Sequence, residues 1–219
     1  MKVALCLFGI VGGSGGKDGL GAAIDPSIAY EHYLRNILAG NTVDVYFHTW
    51  SVNSEVDLVK MYQPKDYIVE PQKIFSTDPI EQRIHSRWYS TQQSVNVIHR
   101  NGHFGEYDMI MSSRLDVAFF SKVDLAGYSP ENFYASHWND VGNKENYSPD
   151  KGLLDLWFFG GTSIMVSFAQ LYNRVREYNM SPHFSSRQHA EKIGAKIKYT
   201  MYRGEDFEMV RRAILKCKA

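Results

Sequence analysis

The chain has 219 residues, 44% of them hydrophobic, and its 24 Lys and Arg balance 24 Asp and Glu to a formal net charge of zero. That length supports one domain with a sizeable core, and the balanced charge argues against nucleic acid as the main partner, since phosphate backbones select a basic footprint. No run reaches the ~18 apolar residues of a membrane span, and two cysteines, Cys6 and Cys217, give no disulfide framework and fit a reducing, cytoplasmic setting.

The first predicted element is a strand over Lys2–Phe8, a short apolar run that ends in glycine without a small-residue cleavage site, so it does not read as a signal peptide. It leads into "ALCLFGIVGGSGGKDGLGA", residues 4–22, where seven of 19 residues are glycine. A phosphate-cradling Walker loop would need Gly five positions before Gly16 and Ser or Thr after Lys17; Val11 and Asp18 stand there. A dinucleotide loop starting at Gly13-Ser14-Gly15 would need Gly or Ala where Asp18 stands. What remains is an apolar strand followed by a glycine loop, either a flap near a ligand or a slack connection.

A helix is predicted over Ser27–Leu38 after Asp25-Pro26, then a strand over Thr42–His48 and another over Tyr67–Glu70. Asp78-Pro79 supplies a cap and first turn for the longest helix, Pro79–Ile98. Strands follow at Tyr107–Ser112, Val117–Phe119 and Asn132–Ser136, then a polar stretch over residues 137–152 that reads as a long surface loop. A strand at Leu156–Phe159, helices at Phe168–Tyr178 and Phe184–Ile193, a strand at Lys196–Tyr202 and a helix at Asp206–Leu215 complete the order. Strands alternating with helices imply an α/β fold whose mainly parallel sheet is covered by helices on both faces.

Ligands in open α/β sheets bind at the carboxyl ends of the strands. There, "MIMSSRLDVAFF", residues 109–120, brings Arg114 and Asp116 two positions apart. A carboxylate at such a strand end can hold a divalent cation while the guanidinium meets a phosphate; the pair can equally be an ion pair with each other. With "VYFHTW" at residues 45–50 in the right order, the chain resembles nucleotide-sugar-dependent glycosyltransferases of the GT-A (Rossmann-like) fold. The pattern is most similar to the N-terminal glycosyltransferase domain of large chlorella-virus proteins that glycosylate the capsid. In that family a strand ends in Asp-x-Asp, and here Arg114 replaces the first Asp.

The resemblance implies transfer of a sugar, uridine-linked by preference, from a nucleotide diphosphate sugar to a hydroxyl of a glycan or glycoprotein. It implies Mn2+ or Mg2+ held by Asp116, and a donor site built from Leu7, Phe8 and Gly9 at the end of the first strand with His48, Arg87 and Arg114. It also implies a single domain, with residues 1–115 the nucleotide-binding half and residues 116–219 the acceptor and catalytic half. The setting would be the cytoplasm, of the host if the protein is viral, as a monomer or as part of a longer chain. Arg83 and Arg87 fall on one helix face, and the Ser-Arg-Trp-Tyr cluster favours Arg87. Asp155, in "GLLDLWFFGGTSIMV", is an acid among apolar neighbours, which is costly unless the acid is used or paired, and it is the catalytic candidate. Trp157 reads as core or as a sugar-stacking wall, Gly160-Gly161 as a close backbone approach, and His183 and His189 as weak metal-ligand candidates. A nucleotidyltransferase and a non-catalytic nucleotide- or sugar-binding module are the competing readings.

Overall fold

The structure, a computed structural model, describes residues 1–13, 22–100, 104–138 and 152–211. Strand β1 (Lys2–Gly9) is followed by α1 (Pro26–Tyr33), which Asp25 caps and a π-turn over Leu34–Leu38 extends. Then come β2 (Thr42–Thr49), α2 (Glu55–Tyr62), β3 (Asp66–Val69) and the long helix α3 (Pro79–Arg100). Strands β4 (Met109–Arg114), β5 (Val117–Phe119), β6 (Phe133–His137) and β7 (Trp157–Gly161) lead to α4 (Thr162–Ala169). Helix α5 (Pro182–Lys192) and strands β8 (Ile197–Tyr202) and β9 (Phe207–Met209) complete the described elements.

Seven strands form one sheet in the order β3-β2-β1-β4-β7-β6-β8, and all run parallel except β7, which is antiparallel to both neighbours. Successive side chains of a strand point to opposite faces, and β1 obeys this strictly. Val3, Leu5 and Leu7 join the core that Tyr33 and Tyr62 cover, whereas Ala4 and Cys6 join the core under Trp88 and Phe168. Helices therefore cover both faces, as the alternation of elements predicts. Asp78 Oδ1 accepts from the amides of Ile80 and Glu81, so the cap expected for α3 is made.

Four elements differ from the sequence reading. Helix α2 was not expected; it ends at Gln63, in the left-handed region at φ 44, just before Pro64. Helix α4 begins at Thr162, directly off β7, and a 3-10 segment over Gln170–Glu177 replaces the predicted helix beyond it. Residues 207–209, expected in a helix, are β9 and pair antiparallel with β5 in a separate two-stranded sheet; residues 212–215 of that expected helix lie outside the described residues. Asp206 is then not a helix-start acid but a turn lock, accepting from the Tyr202 amide and the Ser121 hydroxyl. Most of the predicted loop, residues 139–151, and residues 14–21 of the glycine loop also lie outside the described residues. Gly160-Gly161 makes a close approach to the chain itself: a Cβ on Gly160 would stand 2.6 Å from Asn132 O, and one on Gly161 2.2 Å from Pro130 O. Trp157 is fully buried in the core. Among the described residues, no helix is long and apolar enough to cross a membrane.

Candidate functional site

From β1 the chain passes by α1 to β2 on one side of the sheet, and β1's other neighbour, β4, is reached only later by way of α3. The connections diverge between β1 and β4, which is where open α/β sheets leave a crevice at their carboxyl ends. Phe8 and Arg114 face each other across that boundary in register. A cleft with a cavity volume of about 470 Å3 opens there. Sheet order arranges its lining: Trp50 beyond β2, Phe8 and Gly9 ending β1, Arg114 ending β4, Asp155 ahead of the reversed β7, and Trp138 just past β6.

Arg87 projects from α3 with its guanidinium 3.9 Å from the centre of the Phe8 ring and 4.4 Å from that of Trp88. Its Nη2 donates to Asp155 O at 2.6 Å, its Nε to Asp155 Oδ2 at 3.3 Å, and its Nη1 to Thr91 Oγ1. Burial pushes this guanidinium down to about 10, with Asp155 opposing the fall, so it stays charged at neutral pH. Two aromatic faces and a carboxylate are suitable company for a partly desolvated arginine. Arg114 is held differently, by a bidentate pair in which Nε and Nη2 donate to Asp116 Oδ1 and Oδ2, both at 2.7 Å. Burial works against that charge, but the Asp116 carboxylate outweighs it and raises the guanidinium above its ordinary value. The strand end beneath is fixed by Tyr33, whose hydroxyl donates to Arg114 O at 2.7 Å.

Asp155 sits between Arg87 and His183. Arg87 holds one carboxylate oxygen and His183 Nδ1 stands 3.3 Å from the other. Burial alone would raise its carboxyl, but Arg87, His183 and Arg114 together hold it below the usual carboxylate range. His183, at the start of α5, also places Nδ1 3.0 Å from Leu153 O. Its ring meets Trp138 edge-on at 4.4 Å.

The candidates from the sequence divide as follows. Phe8, Gly9, Arg87, Arg114 and Asp155 line one cleft, together with Arg83. Leu7 does not; its side chain lies in the core on the opposite face of β1 from Phe8. Gly9's backbone is already engaged, its N–H donating to Ser90 Oγ at 2.9 Å and its carbonyl accepting from Thr49 Oγ1 at 2.9 Å. His48 is fully buried behind it, with Nδ1 2.8 Å from Ser90 Oγ and Nε2 3.1 Å from Glu70 Oε1. The histidine thus braces the end of β1 through Ser90 rather than facing the cleft. His189 is likewise structural, bonded to the Tyr178 hydroxyl and Ser167 O. Sequence reasoning missed Arg203, Arg211 and Trp138 as lining residues. No local pattern marks them, because the turn after β8, the end of β6 and the stretch after β9 reach the cleft only through the tertiary fold.

Asp116 is 2% exposed and stands behind Arg114, with the start of the glycine loop over it: a Cβ on Gly12 would lie 3.7 Å from its Oδ2. The divalent cation implied by the resemblance fits these residues poorly. Both oxygens of Asp116 are taken by the Arg114 guanidinium and those of Asp155 face Arg87 and His183, so a metal would have to displace Arg114 to reach Asp116, or Arg87 or His183 to reach Asp155. Among the described residues, the cleft lining carries Arg83, Arg87, Arg114, Arg203 and Arg211, of which Arg87 pairs with Asp155 in the lining and Arg114 and Arg203 pair with Asp116 and Glu208 behind it. Such a lining favours an anionic ligand, and the planar fork of arginine suits phosphate oxygens. No protein-family model matches the chain, and no curated protein matches its sequence.

Proposed function

We propose that the protein is a glycosyltransferase of the GT-A type that moves a sugar from a nucleoside diphosphate donor, uridine-linked by preference, to a hydroxyl of a glycan or glycoprotein. The observation that carries this reading is the pair of guanidiniums, Arg87 and Arg114, each held by its own buried acid at the divide between β1 and β4. Fixed charges of this kind are preorganised for a diphosphate and strengthen in effect as a leaving group gains charge. The sequence of surfaces across the cleft supports the rest. Trp50 offers an apolar wall for a base at one end, the guanidiniums take the phosphates in the middle, and Asp155, His183 and Trp138 face the sugar and acceptor at the other. Tryptophan faces suit sugar rings, which carry apolar patches beside their hydroxyls.

In this mechanism the donor's diphosphate rests on Arg87 and Arg114, and the bond from the anomeric carbon to the β-phosphate oxygen breaks as those charges stabilise the departing anion. The test is release of nucleoside diphosphate from a panel of nucleotide sugars, with and without simple glycan acceptors. Acceptor-stimulated release from one donor is expected. Tight nucleotide binding without release from any donor would leave a binding module as the correct description.

A further inference from the structure

Resting on the transferase reading, we propose that His183 is the general base that takes the proton from the acceptor hydroxyl. Three contacts build its position. Leu153 and His183 are joined by reciprocal bonds, the Leu153 amide donating to His183 O at 2.9 Å and the imidazole Nδ1–H donating to Leu153 O at 3.0 Å. This approach is possible because residue 152 is glycine: a Cβ there would stand 2.2 Å from His183 O, and its φ is 76. Trp138 then abuts the ring, and Asp155 Oδ1 lies 3.3 Å from Nδ1.

The hydrogen bond to a carbonyl assigns the proton to Nδ1, since a carbonyl can only accept. In the neutral ring Nε2 then carries the lone pair, and the ring lines the cleft with its side chain 31% exposed. Among the described residues only Nδ1 has a partner, and a histidine tied at one nitrogen with a carboxylate beside the tied side is the arrangement that makes imidazole an oriented base. Asp155 suits the supporting role better than the base's own role. Against burial, its carboxylate is held in the anionic form foremost by Arg87, and a carboxylate stabilised in that way accepts a proton poorly.

The step balances as a single displacement. The acceptor oxygen attacks the anomeric carbon while its proton passes to Nε2; the carbon–oxygen bond to the β-phosphate breaks, and its electron pair leaves with the diphosphate on Arg87 and Arg114. The imidazolium beside the Asp155 carboxylate then gives its proton to water. The product has inverted anomeric configuration.

Two variants test this, His183→Gln, which can keep the bond to Leu153 O, and His183→Ala. Both should bind uridine diphosphate as the wild type does, measured by calorimetry, while kcat for transfer falls roughly 10²- to 10⁴-fold, the range general-base catalysis supplies. Added imidazole should restore part of the His183→Ala rate. Transfer by His183→Gln at the wild-type rate, or a product of retained configuration, overturns the proposal and leaves the transferase reading standing. Absence of both nucleotide binding and transfer in the wild type overturns the two together.

Discussion

Removing the Asp116 carboxylate distinguishes an acid that holds an arginine from an acid that holds a metal. In Asp116→Ala the Arg114 guanidinium, whose side chain is 20% exposed, loses two charge-assisted bonds of 2.7 Å and keeps its charge in a largely desolvated position. Breaking a buried pair by deleting one partner costs about 3–5 kcal/mol, most of it from the charge left behind. For a domain of this size each kcal/mol lowers the melting temperature by about 2–4 °C, so a fall of roughly 6–20 °C is expected in the ligand-free protein. Differential scanning fluorimetry in EDTA measures it directly. The double variant Arg114→Leu/Asp116→Leu removes both charges and should recover part of the loss, giving a non-additive cycle. An acid kept for a metal predicts the opposite, a ligand-free protein unchanged or stabilised by the substitution. Melting of Asp116→Ala within about 2 °C of wild type, below the shift expected for even 1 kcal/mol, would refute the pairing argument.

Two further outcomes follow from the same contacts. Burial lowers the pKa of His48, His85 and His189, with Glu70 partly opposing the fall at His48. The unfolded chain thus binds protons that the folded chain refuses, and stability is lost as pH drops below the unfolded value of about 6.5, by up to ~1.4 kcal/mol per pH unit for each histidine. Urea midpoints at pH 7.5 and 5.5 should differ in that direction; equal midpoints would contradict it. Chelation by EDTA should leave affinity for uridine diphosphate within about twofold, whereas Arg114→Ala should weaken it roughly 10- to 150-fold, the worth of a hydrogen bond to a charged group. A tenfold or larger gain in wild-type affinity on adding Mn2+ would show that a cation, not Arg114, carries the diphosphate.

Much of the central sheet was legible because strands such as β1 and β4 are buried on both faces and read as continuous apolar runs, as in "VALCLF" and "MIM". Strand direction was not legible. A fully buried strand such as Trp157–Gly161 carries the same pattern whichever way it runs, and only its partners in space make it antiparallel. The stretch after Asp206 carries Phe207 and Val210 at helical spacing, yet pairing of Met209 with Val117 draws residues 207–209 into a strand, a tertiary override of local preference. In the site, Arg114 and Asp116 could be paired from the sequence because they lie two residues apart. Arg87 and Asp155 could each be suspected singly, one from its helix face and one from its apolar surroundings. Their contact across 68 residues could not, since nothing in local spacing encodes it. His48 shows the converse: a histidine closing a strand beside the cleft invites a ligand role, but Ser90 and Glu70 take both its nitrogens.

The most direct measurement is calorimetric titration of uridine diphosphate and of uridine into the wild type and into an Arg87→Gln/Arg114→Gln variant. Uridine diphosphate is expected to bind the wild type much more tightly than uridine does, and the double variant should hold the two ligands about equally. Equal affinities for both ligands in the wild type would contradict a cleft built around a diphosphate.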